Sequence, residues 1–403
     1  MDLTEPCLKD LTAQCAAAIS SDRLAATLGE LIRLPSVNPF GAAPGADMGE
    51  KRVADYLGER LASLGWTHEI TEFAPGRHNV LARLAGAAPE PGRKLMFAGH
   101  TDTVETTGYP AALADDIRDG RVYGRGACDM KAALACYLEV AEILAAQEIT
   151  LAGELLIAGV GDEEYRQEGA KAFGATGERV GGVVIGEPTE LTLCLATKGL
   201  AAYELVVIGS ATHGSVPQHG DNAILSAAEL LRALGHYEQS LARRAHPLLG
   251  HPTINVGVID GGTKPNIVPS SCRIGFSRRL LPGETPEAVR TDVVELLERF
   301  VDNRQWELND AWWTVEPYEL PDAHPLGEMM RAAAAESGAD ATPLGFAASS
   351  DAAYFGSPVV LFGPGSLAQA HSLDEWVAVA DMVTATEVYL RVAMKALGVH
   401  NGQ

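Results

Sequence analysis

Imidazoles and carboxylates recur in this chain just where a short hydrophobic run ends. In "LMFAGHTDTV" the run delivers His100 and Asp102, and "GRGACDMKAA" brings Asp129 out of a glycine-rich turn to the start of a helix. "LLIAGVGDEEY" ends on Glu163 and Glu164, "GGVVIGEPTE" on Glu187, and "VVLFGPGSLAQAHSLDEW" carries His371 to the start of the last helix. Each alone is ordinary loop or helix-cap chemistry, as is Asp351 in "GFAASSDAAYF". Together they are not ordinary. In an open α/β sheet the carboxyl ends of parallel strands converge on one crevice. Two histidines, an aspartate and two glutamates meeting there form a metal-ligand set without cysteine. If Asp129 bridges, each of two ions receives three protein ligands: His100, Asp129 and Glu187 for one, Asp129, Glu164 and His371 for the other. Three ligands and an open position is the catalytic arrangement for zinc, not the closed structural one; cobalt or manganese also suits these donors. Without cations, the carboxylates would repel one another in a poorly solvated cleft.

Asp102, two residues beyond His100, suits a supporting role in which it holds the ligating tautomer of the imidazole. Neighbours in an extended chain point to opposite sides. Glu164 can therefore ligate while Glu163 faces a water between the ions, accepts its proton and passes it to a leaving amine. The chemistry is metal-assisted hydrolysis of an amide.

These residues need strands that end together. The pattern predicts helices over about 21–34 and 48–65, then strands near 67–73, 78–84 and 94–98, with a surface turn in "LAGAAPEPGRK". A helix follows over 130–146, then the buried strands "GELLIAGV" and "GGVVIG". The tail repeats this style with a helix near 324–338, the strand "PVVLFG" and a final helix from Asp374. Between about Leu193 and Arg304 the order changes to strand, helix, strand, strand, helix, and the strands alternate between apolar and polar residues, as in an antiparallel sheet with one solvated face. The expectation is an α/β domain with a mostly parallel sheet and helices on both faces, spanning 1–192 and 305–403, interrupted by an α+β domain at 193–304.

At 403 residues two domains are the default. A formal charge of -22 argues against a nucleic-acid partner. No apolar run reaches the length of a membrane span, and charges interrupt "MDLTEPCLKDLTAQC" where a signal peptide needs an apolar core. A cytoplasmic protein is expected. Six cysteines without CxxC spacing suggest neither a disulfide framework nor a thiolate zinc site.

The ordered motifs "GHTDTV", "GRGACDMKA", "GDEE", "GEPT", "ATHGSVPQHGDNA", "PNIVPSSC", "SRRLLPGE" and "AHSLDEW" resemble the di-zinc aminoacylase and exopeptidase family that contains acetylornithine deacetylase, succinyl-diaminopimelate desuccinylase, carboxypeptidase G and aminoacylase. The resemblance covers nearly the whole chain. It implies the two-domain fold, a homodimer formed through the inserted domain, the ligand set above and a cis peptide after Asp129. It also implies that His213 in "THGSVP" reaches a partner's active site to stabilise the oxyanion, and that Asn266 and Arg279 hold a substrate carboxylate. Arg278 points the other way along its strand, so one arginine of the pair serves. The sequence departs from the family at Ser277, where an aspartate often precedes the arginines, and "ATKGLA" lacks the arginine pair associated with the desuccinylases. Cys128 reads as a buried filler. The reading is therefore an N-acyl-amino-acid deacylase like acetylornithine deacetylase, with a metallo-exopeptidase or a desuccinylase as the alternatives. A metal-free binding protein on the same scaffold is disfavoured by the full ligand set.

Overall fold

The computed structural model describes residues 5–88, 93–114, 116–300 and 305–400. Part of the expected turn "LAGAAPEPGRK" lies outside them. The chain forms two compact units, one of Met1–Leu195, Leu320–Leu344 and Asp351–Gln403, the other of Ala196–Glu319 and Gly345–Ser350. No helix among the described residues is long and apolar enough to cross a membrane.

The first unit opens with helices α1 (Glu5–Ala16), α2 (Ser21–Ile32) and α3 (Lys51–Ser63). Strands β1 (Thr67–Ala74), β2 (Arg77–Leu84) and β3 (Lys94–His100) follow, then the short β4 (Asp116–Arg118) and β5 (Arg121–Tyr123), α4 (Lys131–Ala146), β6 (Glu154–Val160), α5 (Glu168–Ala175) and β7 (Gly182–Ile185). The chain enters the second unit within β8 (Cys194–Thr197). There β9 (Gly199–Ile208), α6 (Ala223–Leu241), β10 (Ile254–Gly261), β11 (Ser271–Leu280), α7 (Pro286–Phe300), β12 (Gln305–Leu308), β13 (Trp313–Val315) and β14 (Tyr318–Glu319) succeed one another. The return supplies α8 (Pro325–Glu336), β16 (Val359–Leu361), β17 (Trp376–Ala378) and α9 (Val379–Leu397), with β15 (Leu344–Phe346) lying where the chain crosses briefly back into the second unit.

In the first unit the strands run in the order β1-β2-β6-β3-β7-β16-β8. The centre is parallel, with β3 between β6 and β7 and with β16 beside β7. These strands are apolar along their length because both faces are covered. On one face Phe97 stacks on Tyr137 of α4 at 5.1 Å and meets Tyr389 of α9 at 5.4 Å. Across the register Phe97 aligns with Ile157 and that with Ala82, so Asn79 points to the opposite face. There it donates from Nδ2 to the Gly169 carbonyl of α5 at 2.8 Å. The fold class is thus a mostly parallel sheet with flanking helices, accompanied by a separate antiparallel sheet.

That second sheet runs β10-β11-β9-β12, with β13 also on β9. β11 alternates strictly between buried and more exposed positions. Its inner residues Cys272, Ile274, Phe276 and Leu280 pack with Leu230, Leu234 and Tyr237 of α6 and Val293 and Leu297 of α7. Because β12 and β13 pair with β9, residues 305–319 group with this unit.

Three details differ from expectation. α9 begins at Val379 and not Asp374, because Trp376–Ala378 pair with Arg121–Tyr123 as a strand. A helix precedes α2 at Glu5–Ala16. The first strand expected after about Leu193 forms as two, β8 and β9, broken at Lys198, whose ammonium turns to the His251 carbonyl at 2.6 Å.

Leu390 of α9 is fully buried. Leu390→Ala should therefore cost about 2–5 kcal/mol, the usual range for such a truncation, read as a lower urea midpoint with divalent-ion binding unchanged.

Candidate metal centre

His100 ends β3, beside Val160, the last residue of β6. Its ring is fully buried. Nδ1 lies 2.9 Å from the Asp102 carbonyl oxygen, which can only accept, so Nδ1 carries the proton. Nε2 is thereby turned to Asp129 Oδ1, 2.9 Å away. Asp129 arrives from the turn before α4, through a cis peptide to Met130. Its second oxygen is 3.4 Å from His371 Nε2, and that nitrogen lies 3.1 Å from Glu164 Oε2. His100, Asp129 and Glu164 each offer a ligand atom within 4.8 Å of the others. His371 closes the group from a left-handed position, φ 63°, with its side chain half exposed. Glu187, just past β7, is buried but is not part of this trio.

The electrostatics are those of too many carboxylates in too little water. Burial pushes Glu163 well above the usual carboxylate range, and the charge of Glu187 adds to it. Glu187 is raised by burial in the same way, with Asp129 and Asp351 contributing, while His100 opposes. Asp351, at the start of a 3-10 turn, is pushed up to about 8, chiefly by burial. Burial also works against the charge of Asp129, but hydrogen bonds with His100 and His371 hold it below the ordinary range. His371 is pushed up to about 10 by its bonds to Asp129 and Glu164. Among the described residues, Glu187 Oε1 is buried without a hydrogen-bond partner. An orphaned buried oxygen, two imidazoles and more carboxylates than they can neutralise fit divalent cations, which would remove the repulsion and use the spare lone pairs.

Asp102 supports the group through its backbone as well as its side chain. Its carbonyl, not its carboxylate, fixes the tautomer of His100; Oδ1 stays 3.8 Å from Nδ1. The carboxylate instead accepts the backbone N–H groups of Glu163 (Oδ1) and Glu164 (Oδ2), each at 3.2 Å. Asn38 Nδ2 donates to the same carboxylate at 2.7 Å and to Asp162 at 3.1 Å. Arg77 joins Asp162 at 3.0 Å and grips Glu50 through Nε at 2.9 Å. The extended geometry assumed for Glu163 and Glu164 is also not what forms, since 163–166 make a turn. Asn38, Glu50, Arg77 and Asp162 are buried polar residues that the sequence pattern did not single out. In the sequence they carry no distinguishing signal: Asn38 is an uncharged amide, and Glu50, Arg77 and Asp162 each stand beside other charged or polar residues. Cys128 is fully buried, its thiol facing the Ser366 carbonyl at 3.2 Å, and burial pushes that thiol up, so it is a filler and not a nucleophile.

In the second unit His213 and Asn266 are exposed on adjoining loops. The Gly214 N–H donates to the Asn266 carbonyl at 2.8 Å, and a Cβ on Gly214 would sit 2.9 Å from that oxygen. Glycine is required by this close approach. His213 Nδ1 accepts the Ser215 N–H at 3.2 Å, which leaves Nε2–H facing outward. Arg278 is fully buried against Glu284 at 2.7 Å, whereas Arg279 is half-buried and donates to Ser349 Oγ at 3.3 Å. Lys198 is lowered by burial and then by the charges of Arg279 and Arg278, so a second cation stands near Arg279.

The profile of Peptidase family M20/M25/M40 matches residues 96–395. Acetylornithine deacetylase of Myxococcus xanthus is 30% identical over 387 residues, covering 93% of this chain and 98% of that one. Among solved structures, a tripeptidase from Staphylococcus aureus superposes with a TM-score of 0.76 at 21% identity, covering 94% of this chain and 99% of that one. Human carnosine dipeptidase 1 gives 0.70 at 16% identity, covering 97% and 99%.

The grip of Asp102 on the 163–164 turn can be tested directly. Asp102→Asn keeps the shape but turns one acceptor into a donor, so at least one of three buried donors loses its partner. A loss of about 1–3 kcal/mol is expected, read by urea unfolding. Unchanged stability would show that these bonds do not form.

Proposed function

The chain belongs to peptidase family M20/M25/M40, and we propose that it is a metal-dependent hydrolase cleaving the amide bond of N-acyl amino acids, as an acetylornithine deacetylase does. The observation that carries this reading is Asp129, with one oxygen turned to His100 and the other to His371. This is the posture of a carboxylate shared between two ions. His100, Asp129 and Glu187 would hold one ion and Asp129, Glu164 and His371 the other, zinc with cobalt or manganese able to replace it. When bound, such ions supply Lewis acidity that polarises the scissile carbonyl and acidifies water.

The remaining steps belong to the chain's own groups. Glu163, whose affinity for protons is raised by burial and neighbouring charge, takes a proton from the attacking water and gives it to the leaving amine nitrogen. Arg279 and Asn266 receive the free carboxylate of the substrate, the guanidinium in a forked contact. His213 donates from Nε2 to the oxyanion of a partner subunit's site. A homodimer through the second unit is supported by β10, an edge strand on which Val256, Val258 and Ile259 are 40–55% exposed. An unprotected apolar edge of this kind favours pairing with another strand.

Zinc- or cobalt-loaded protein should release amino acid from acetylated substrates faster than from succinylated ones or dipeptides. A preference for dipeptides would make it an exopeptidase, and inertness toward all three would remove the reading. In the same panel Arg279→Ala should raise KM for free-carboxylate substrates and leave amide-capped analogues, already poor, nearly unaffected. Glu163→Ala should keep its metal and lose ~10²–10⁴-fold in turnover, the range for a general base, whereas Glu164→Ala should also bind metal more weakly. The opposite pattern would exchange their roles. Finally, His213→Ala and Glu163→Ala, each inactive alone, should regain activity when mixed and allowed to exchange subunits. A mixture that stays dead after proven exchange would deny His213 its role across the dimer.

A further inference from the structure

Glu375 stands four residues after His371, at the entry to β17, and is fully buried. Its backbone carbonyl accepts the Gly124 N–H at 3.0 Å, next to the pairing of Trp376 with Tyr123. From that anchor the side chain crosses to the turn that carries Asp129. Oε1 accepts two consecutive backbone N–H groups, from Cys128 at 2.9 Å and Asp129 at 3.0 Å. Oε2 accepts Arg125 Nη1 at 2.5 Å, and Arg125, itself buried, donates from Nε to the Glu105 carbonyl at 3.2 Å. The turn also contains Gly126 at φ 81°, a residue with wide conformational freedom that cannot fix the turn's direction by itself.

Two amides aimed at one oxygen fix the peptide planes on both sides of the Cys128 Cα. That in turn fixes the direction in which Asp129 leaves the backbone. The result is one carboxylate oxygen 2.9 Å from His100 and the other 3.4 Å from His371. We propose that Glu375 is a positioning residue, acting through Asp129, that holds this shared carboxylate in its two-sided orientation and so sets how tightly both ions bind. The inference rests on the reading of Asp129 as the shared ligand. Because His371 hangs from the same short segment, the strap and one of the ligands it serves are covalently joined.

Cobalt(II) titration of the full chain, followed by calorimetry and d–d absorption, tests it. Glu375→Ala should bind cobalt ~10–100-fold more weakly, the usual effect of removing a group that orients a ligand, with an altered absorption band. Glu375→Gln, which keeps an oxygen for the two amides, should recover most of the affinity. Leu390→Ala, destabilised in the same unit away from the turn, should bind like the wild type. If Glu375→Ala does not fold, Glu375→Asp carries the same expected loss, since it keeps the charge but draws the oxygens back by one methylene. Wild-type affinity and spectrum in the folded alanine variant, or in Glu375→Asp if alanine does not fold, overturn the proposal. So does a glutamine variant as weak as alanine. A wild-type chain that takes up no cobalt, or Asp129→Ala binding as tightly as wild type, instead overturns the reading of the centre on which it stands.

Discussion

Like charges gathered away from water set the terms for the first unit. Asp129, Glu163, Glu164, Glu187 and Asp351 interact with one another around two imidazoles. In a medium that screens poorly, each would gain by moving apart. Every segment that presents one must therefore be held by something stronger than its own preference. The parallel strands provide the coarse part, since their ends come together whatever side chains follow them. The fine part falls to hydrogen bonds on the loops.

Those bonds use one device twice. Asp102 takes the N–H groups of residues 163 and 164, one on each oxygen, and Glu375 takes those of residues 128 and 129 on a single oxygen. In each case a buried carboxylate that is not itself a candidate ligand grips the backbone of a residue that is. Each gripping carboxylate has its own polar support, Asn38 for Asp102 and Arg125 for Glu375. A buried charge so satisfied costs far less than a bare one. Its neighbours cannot leave without exposing unpaired donors.

The ligand candidates were legible because type and place coincide: His100, Glu164 and Glu187 are polar residues at, or within four positions of, the ends of apolar runs that form buried strands. The groups that hold them were not. The tautomer of His100 is fixed by a backbone carbonyl, which every residue possesses and no sequence advertises. Glu375 sits in "SLDEW", which reads as the start of a helix, and its role depends on amides about 247 positions earlier. The three residues of β17 carry too little period of their own to stand against the helical pattern after them. Lys198 falls between β8 and β9, next to Gly199, where a Cβ would sit 2.5 Å from the Val315 carbonyl, a close approach that no sequence pattern reveals. The exposed loop residues His213 and Asn266 have no local signal beyond their motifs, because nothing in periodicity separates a working histidine from a surface one.

The sheet of the first unit also has a schedule. β7 is complete at Ile185, but the strand that covers its far edge, β16, begins at Val359. During synthesis the ribosome must deliver the entire second unit before that edge is closed. At translation rates of about 5–20 residues per second, this leaves an apolar edge uncovered for roughly 10–35 s. The glutamate after β7 waits over the same interval for the last histidine, so the newborn chain passes through a stage in which most of its acidic cluster exists without the segment that completes it. The order in which the gene is read thus makes one late stretch supply both the closing strand, β16, and the last candidate ligand, His371.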